Sequence, residues 1–258
     1  MEATRSKILC ELRKDGQLLH VTLNAPEGNV IDTGMLQGLD VVLGAHGRTQ
    51  GLKAIIFEGA GDHFSYGTSV SEHRKDKVEA LMTRFRRVLL RLLQLAVPTI
   101  AVVRGHCLSG GFELAAYCNW IFAAPDARFS QPEIKIGVFP PVGSVLLPWR
   151  LGGGAGLDLC LSGRSFDAEE ALGMGLIKKI GDDPSADAYA FFERYLAPRS
   201  ASSLHYAELA SRATLRPLLE ETLPDLERLY LEELMSTHDA REGIIASMTG
   251  REPRYRDR

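Results

Sequence analysis

The segment VVRGHCLSGGFELA, residues 102–115, decides the fold prediction. It starts with a β-branched apolar run, passes through glycines and continues as an apolar stretch of helix formers, which predicts a buried strand followed by a helix. The first backbone N–H groups of such a helix have no intrahelical acceptor, and the helix dipole adds partial positive charge there. They suit a phosphate, a carboxylate or a developing oxyanion. Close packing of the helix on the strand explains the glycines equally well.

Strand and helix patterns alternate on both sides of this segment. Five neighbouring patterns are informative: a hairpin at 8–24, a helix cap at Asp32 or Thr33, a buried strand at 52–61, a helix at 78–96, and a loop with one short strand at 127–145. From about residue 184 onward the pattern is helical. This order predicts an α/β core over residues 1–195 and an α-helical region over residues 196–258.

Composition excludes several classes of protein. A chain of 258 residues with 45% hydrophobic and 24% charged residues can form an ordinary globular core. Its net charge of -3 gives no electrostatic reason for binding nucleic acid or an anionic membrane. No apolar run approaches the roughly 20 residues that span a bilayer, and the first residues lack the apolar core of a secretory signal. We therefore expect a cytoplasmic protein without nucleic-acid or membrane partners.

Cysteine and histidine spacing gives no support for a metal site. Cys10, Cys107, Cys118 and Cys160 show no CxxC spacing, and we expect them to be reduced structural thiols. The seven histidines form no HxH or HExxH pair. We expect no bound metal.

Two glutamates are the candidate catalytic side chains. Glu113 lies in the first turn of the predicted apolar helix, where the helix dipole alone could explain a carboxylate. Glu133 lies in a second apolar setting, FSQPEIKIG, whose loop is shaped by Pro132. A partly buried carboxyl group has a raised pKa and can exchange protons near neutral pH. If both face one pocket, they form a general acid/base pair able to hold one water molecule.

Four motifs, taken in order, carry a family resemblance: LNAPEGNVID (23–32), HFSYGTSV (63–70), the long segment from RGHCLSGG to PPVGSV (104–145), and LSGRSFDAEEALGMGLIKKI (161–180). Together they resemble the signature regions of the crotonase (enoyl-CoA hydratase/isomerase) superfamily. The resemblance implies an α/β fold, a crotonase/ClpP-like spiral of ββα units with a C-terminal α-helical trimerisation region. It also implies a homotrimer or a hexamer built as a dimer of trimers.

The resemblance further implies an acyl-CoA thioester as substrate, with CoA as part of that substrate and no separate cofactor. The backbone N–H groups of Tyr66 and Gly110 would form an oxyanion hole. The expected CoA contacts lie in two loops: Ala25, Glu27 and Gly28 in the first, with its neighbour Pro26, and Gly67, Thr68, Ser69 and Val70 in the second. Pro132 and Val142 would line the acyl pocket.

Both glutamates of the family's hydratases are matched, which implies addition or removal of water. The chain departs from typical members at FSYGTSV and PPVGSV, where Tyr66, Ser69 and Val142 stand. Larger surfaces at Tyr66 and Val142 favour a flat, ring-shaped acyl group. The loop resembles that of members that hydrate cyclohexa-1,5-diene-1-carbonyl-CoA to 6-hydroxycyclohex-1-ene-1-carbonyl-CoA in anaerobic benzoyl-CoA degradation.

Three alternatives stay open at this point. The first two are a general short-chain enoyl-CoA hydratase and a hydratase of cyclohex-1-ene-carbonyl-CoA. The third is a crotonase-fold RNA-binding protein, against which the acidic net charge and the retained glutamates argue.

Overall fold

The computed structural model describes residues 6–25 and 27–257. Its first feature is the predicted hairpin, in which strand β1 (Ile8–Arg13) pairs antiparallel with strand β2 (Leu18–Leu23). Lys14 and Asp15 adopt positive φ angles of 54° and 53° in the connecting turn. Asp tolerates this left-handed conformation better than most residues do, which suits a tight hairpin connection.

The hairpin opens a mixed sheet of six strands, and three further strands form a second sheet. The remaining strands are β3 (Ala54–Gly59), β4 (Thr99–Val103), β5 (His106–Leu108), β6 (Trp120–Ala123), β7 (Arg128–Ser130), β8 (Ser165–Asp167) and β9 (Lys179–Ile180). The larger sheet has the order β1-β2-β3-β4-β6-β9, and the smaller has β5-β7-β8. Every pair from β2 to β9 in the larger sheet is parallel. Parallel neighbours require crossover connections, which here contain the helices.

Helices cover the sheets and form the C-terminal part of the chain. They are α1 (Thr33–His46), α2 (Val78–Leu95), α3 (Ser109–Tyr117), α4 (Pro141–Leu151), α5 (Gly153–Ser162), α6 (Ala168–Gly173), α7 (Pro184–Phe191), α8 (Ala201–Ser211), α9 (Leu215–Pro217), α10 (Leu223–Arg228) and α11 (His238–Met248). Short π-helical turns lie at Phe192–Leu196, Leu218–Thr222 and Leu229–Glu233, and 3₁₀ turns at Val70–Glu72, Pro132–Ile136 and Leu234–Ser236. The helical pattern predicted from residue 184 is confirmed. The division at residue 195 stays a prediction.

The main core lies between the larger sheet and helices α1 and α2, and it extends to residues of α3 and α4. Asp32 caps α1 by accepting a hydrogen bond from the Met35 N–H at 2.8 Å, which confirms one of the two predicted caps. Helix α2 buries one face, including Phe85 and Leu89, whereas its arginines lie on the other side. Arg87 and Arg91 contact Asp40 of α1, so part of this basic face pairs within the chain.

The segment 127–145 differs in part from its prediction. Its short strand is confirmed as β7, but the residues from Pro141 onward form α4 rather than a loop. Proline is well suited to the first turn of a helix because its missing N–H would lack an intrahelical acceptor there. Among residues 6–25 and 27–257, no helix is long and apolar enough to cross a membrane.

Candidate active site

Helix α3 begins directly behind strand β5, against the loop that contains Ser65 and Thr68. The Ser65 N–H donates to the His106 carbonyl at 3.0 Å, and the Leu108 N–H donates to the Ser65 carbonyl at 2.9 Å. A Cβ atom at Gly111 would lie 2.5 Å from the Ser65 Cβ, which is far inside van der Waals contact. The glycine pair is therefore required for close packing, and the same packing brings the loop to the first turn of α3.

Both candidate glutamates are buried in the protein interior. Glu113, in α3, is 4% exposed, and Glu133, in the 3₁₀ turn that follows β7, is 6% exposed. Carboxylates are rarely buried so fully without partners, because the charged form loses its hydration. Their partners therefore define what the site can do.

Gln131 connects the two carboxyl groups. Its Nε2 donates to Glu113 Oε1 at 3.1 Å and to Glu133 Oε1 at 3.2 Å. The Gly143 N–H, in the first turn of α4, donates to Glu113 Oε1 at 2.6 Å. Glu133 Oε2 and Gln131 Oε1 are buried and receive no hydrogen bond from the described part of the chain. The structure thus brings the two glutamates into one hydrogen-bonded group that retains open acceptor positions.

Burial raises the pKa of both glutamates. It raises the pKa of Glu113 well above the ordinary value, and the nearby Glu133 charge raises it further. Burial also raises the pKa of Glu133 to about 7, against the opposing effects of the Ser109 hydroxyl, of its own backbone and of the Gln131 amide. Two carboxyl groups this close in a low-dielectric setting do not both ionise readily. One can hold a proton while the other is charged, as general acid/base chemistry requires.

The oxyanion-hole prediction needs a correction at Tyr66. The Tyr66 N–H donates to the Gly28 carbonyl at 2.7 Å, and the Ser69 N–H donates to the Ile31 carbonyl at 2.9 Å. Tyr66 is therefore wrong as the donor, because its N–H is already used. The Thr68 N–H, by contrast, has no acceptor within residues 6–25 and 27–257.

Thr68 lies beside the start of α3, where the second predicted donor is found. A Cβ atom at Gly110 would be 3.6 Å from the Thr68 nitrogen and 2.6 Å from the Thr68 Cγ2. Gly110 is in the first turn of α3, and its N–H also lacks an acceptor in the described residues. Two backbone N–H groups without an acceptor in the described residues therefore lie on neighbouring segments, the Thr68 loop and the first turn of α3.

The Tyr66 side chain lies over the first of the predicted CoA loops. A Cβ atom at Gly28 would be 2.2 Å from the ring, and the ring centroid is 4.9 Å from that of His63 and 5.4 Å from that of His106. The ring is 42% exposed. The Tyr66 ring therefore packs within the protein, on Gly28 and the two histidines.

Asn29 holds the same loop in place, although its role was missed at the sequence level. Its Nδ2 donates to the carbonyls of Ala60 at 2.9 Å and His63 at 2.8 Å, and its Oδ1 accepts from the Ala25 N–H at 3.1 Å. Glu27, Gly28 and Asn29 all have positive φ angles. Asn tolerates this conformation, and its presence in NAPEGN was the only available signal. Pro26 lies outside the described residues.

Other candidate groups have no comparable arrangement. In residues 6–25 and 27–257, no three His, Cys, Asp or Glu side chains are grouped so as to hold a metal ion. All four cysteines are free, and Cys107 is buried. Burial raises the pKa of the Cys107 thiol well above its ordinary value, so it is not an activated nucleophile.

The sheets, the glycine-rich start of α3 and the linked glutamates define a crotonase-type protein. Residues 13–258 match the enoyl-CoA hydratase/isomerase family, and the chain belongs to that family. It is 40% identical over 258 residues to the cyclohexa-1,5-dienecarbonyl-CoA hydratase of Thauera aromatica, covering 100% of both chains. It is 32% identical to a probable enoyl-CoA hydratase of Rhizobium meliloti (strain 1021), covering 94% of this chain and 96% of the relative.

A solved structure confirms the fold. An enoyl-CoA hydratase from Mycobacterium avium subsp. paratuberculosis K-10 superposes with a TM-score of 0.83 at 24% identity, covering 97% of this chain and 99% of that one. At this level of identity the likeness concerns the fold alone.

Proposed function

We propose that this protein is a hydratase, a carbon–oxygen lyase, that adds water to cyclohexa-1,5-diene-1-carbonyl-CoA to give 6-hydroxycyclohex-1-ene-1-carbonyl-CoA. The observation that carries the chemistry is the pair Glu113 and Glu133, buried together and bridged by Gln131. Such a pair can take a proton from water and deliver another to carbon. The open acceptor at Glu133 Oε2 is suited to a hydrogen bond from that water.

The N–H groups of Thr68 and Gly110 form the proposed oxyanion hole. They would donate to the thioester carbonyl oxygen and stabilise the negative charge that develops on it. Removing one such donor typically costs about 3 kcal/mol of transition-state stabilisation. The adjoining dipole of α3 acts in the same direction.

In the proposed hydration, the ring carbon that water attacks and the ring carbon that is protonated are not adjacent. The water oxygen bonds to C2, β to the thioester, as one carboxylate accepts a proton from the water. The electron pair displaced from C1=C2 spreads through the dienolate to the carbonyl oxygen and to C5. The other carboxyl group protonates C5, and the remaining double bond joins C1 and C6, so atoms and charge balance. Glutamates on two different elements, α3 and the turn after β7, suit two separate carbons.

The choice of acyl group is supported by the full-length similarity to the Thauera aromatica hydratase. Buried Val142, next to the Gly143 N–H that contacts Glu113, is proposed with Pro132 to line the acyl pocket. CoA is proposed to contact two loops. The first contains Ala25, Glu27 and Gly28, and the second contains Gly67, Thr68, Ser69 and Val70. The chemistry needs no cofactor besides the CoA carried by the substrate.

A panel of CoA thioesters tests the proposal. The purified protein is incubated with the cyclic diene, with cyclohex-1-ene-carbonyl-CoA and with crotonyl-CoA, and hydrated products are quantified by liquid chromatography and mass spectrometry. We expect the highest kcat/KM for the diene. Preference for crotonyl-CoA would instead identify a general enoyl-CoA hydratase, and RNA binding without any hydration would remove the enzyme assignment.

The proposed assembly is a homotrimer or a dimer of trimers in the cytoplasm. Its support is the family resemblance. Sedimentation velocity of the purified protein tests it, and a monomer at micromolar concentration would contradict it.

A further inference from the structure

Four buried or half-buried side chains form a continuous hydrogen-bonded chain behind the oxyanion hole. The Tyr230 hydroxyl lies 3.1 Å from His73 Nδ1, and His73 Nε2 lies 2.9 Å from the Thr68 hydroxyl. The Thr68 hydroxyl lies 3.1 Å from the Ser109 hydroxyl. The Ser109 hydroxyl in turn acts on the Glu133 carboxyl and lowers its pKa. The proposed mechanism uses none of these side chains directly.

This hydrogen-bonded chain of side chains connects three separate parts of the fold. His73 ends the 3₁₀ turn that follows the oxyanion loop and is 8% exposed, and Tyr230 lies fully buried in a π-helical turn of the C-terminal region. Ser109 starts α3 with a φ angle of 51°. An imidazole buried in this way is a defined structural element rather than a solvated side chain.

His73 is neutral at the pH of the proposed reaction. Burial lowers its pKa to about 4, and no charged side chain opposes this effect. A neutral imidazole donates from one nitrogen and accepts at the other. One of its two neighbours, the Tyr230 and Thr68 hydroxyls, must therefore donate to the imidazole and the other must accept from it. The nitrogen that carries the proton sets the direction of all hydrogen bonds in this series of side chains.

One direction keeps the fully buried Tyr230 hydroxyl paired. Tyr230 O–H donates to Nδ1 of His73, Nε2–H donates to Thr68, and Thr68 O–H donates to Ser109. The Ser109 O–H is then free to act on the Glu133 carboxyl group, whose pKa it lowers. In the opposite direction Nδ1–H would donate to Tyr230, whose own proton would have no acceptor within residues 6–25 and 27–257. An unpaired buried hydroxyl is unfavourable, so the first direction is preferred.

We propose that His73 is a positioning residue for the hydration proposed above. Held by Tyr230, it donates from Nε2 to the Thr68 hydroxyl and so fixes the loop whose N–H faces the thioester oxygen. Through Thr68 it also directs the Ser109 proton toward Glu133. One histidine thereby couples the oxyanion hole to the acid/base pair.

Three titratable groups bear on the pH dependence expected from Glu133. Glu113, Tyr230 and Cys160 each interact with the Glu133 charge. The substitution Tyr230→Phe preserves the ring and its packing on Phe139 but removes the hydroxyl. The Ser109 proton then loses its fixed direction, and the ionised form of Glu133 is less favoured.

The test compares Tyr230→Phe with Tyr189→Phe. The Tyr189 hydroxyl bonds His20 Nδ1 at 2.9 Å, so the control also removes a tyrosine–histidine hydrogen bond, but outside the site. We expect Tyr230→Phe to lower kcat about 3- to 10-fold, as for one buried hydrogen bond, and to move the acidic limb of the kcat/KM profile upward by about half a unit. KM should stay within about twofold. Tyr189→Phe should leave kcat and the profile unchanged.

A second pair of variants separates positioning from packing. His73→Gln keeps an amide donor for Thr68 and should retain more activity than His73→Leu, which keeps none. Equal losses in both, or a Tyr230→Phe enzyme with an unmoved pH profile, would overturn the proposal. A wild-type protein inactive on every thioester would instead overturn the proposed function.

One readout needs no substrate. ¹⁵N NMR of histidine-labelled protein reports the tautomer of His73, whose signal is assigned by its absence in His73→Gln. We expect the proton on Nε2. A proton on Nδ1 contradicts the proposed direction whether or not the enzyme turns over.

Discussion

Replacing Gln131 by Met tests the shared donor of the acid/base pair. Methionine has a similar length and suits a buried position, but it cannot donate a hydrogen bond. The pKa of Glu133 is about 7 with Gln131 present, and the Gln131 hydrogen bond lowers it. A hydrogen bond to a charged group contributes about 1.5–3 kcal/mol, here divided between two carboxyl groups. At about 1.4 kcal/mol per unit, the pKa should rise by about one unit.

The sign of this change predicts the pH at which activity is lost. A carboxylate acts as base only when ionised, so the ionised fraction at pH 7 falls from about half to about a tenth. The rate at pH 7 should fall about fivefold and largely recover at pH 9. The assay is kcat/KM for the cyclic dienoyl-CoA across pH 5–10, with circular dichroism as the folding control. An equal loss of activity at all pH values would refute the reasoning.

The glutamates and the glycine pair give two further predictions. Glu113→Gln and Glu133→Gln should each lower kcat by about 10²–10⁴ and leave thioester binding by isothermal calorimetry nearly unchanged; near-wild-type turnover would remove that residue from the mechanism. Gly111→Ala should abolish most activity and lower the melting temperature, because its Cβ would lie 2.5 Å from that of Ser65. Gly154→Ala, with no atom within 4 Å of the added Cβ, is the matched control and should be silent in both assays.

Local patterns in the sequence were sufficient for much of the fold. Alternating apolar residues predicted β1 and β2, helical spacing predicted α2, and Asp32 was recognised as a helix cap. These features depend on residues close together in the sequence and on their backbone preferences, so local patterns are enough to predict them. At the start of α4 the sequence predicts a loop, because Pro140, Pro141 and Gly143 interrupt the helical pattern.

The site could be predicted only in part. The glutamates were identified from their apolar surroundings and from the family resemblance, but Gln131 and the Gly143 N–H were not. Their role depends on the packing of α4 against α3, which brings the Gly143 N–H to Glu113. These residues are 30 positions apart in the sequence, so no local pattern predicts the contact. The choice between Tyr66 and Thr68 as oxyanion donor depends on which N–H the Gly28 carbonyl occupies, and this is a property of the folded loop.

The relative kcat/KM for cyclohexa-1,5-diene-1-carbonyl-CoA and crotonyl-CoA, measured on the same wild-type preparation, tests the central claim most directly. The proposed function predicts a clear preference for the cyclic diene, with 6-hydroxycyclohex-1-ene-1-carbonyl-CoA as the product. Equal or faster hydration of crotonyl-CoA would contradict it.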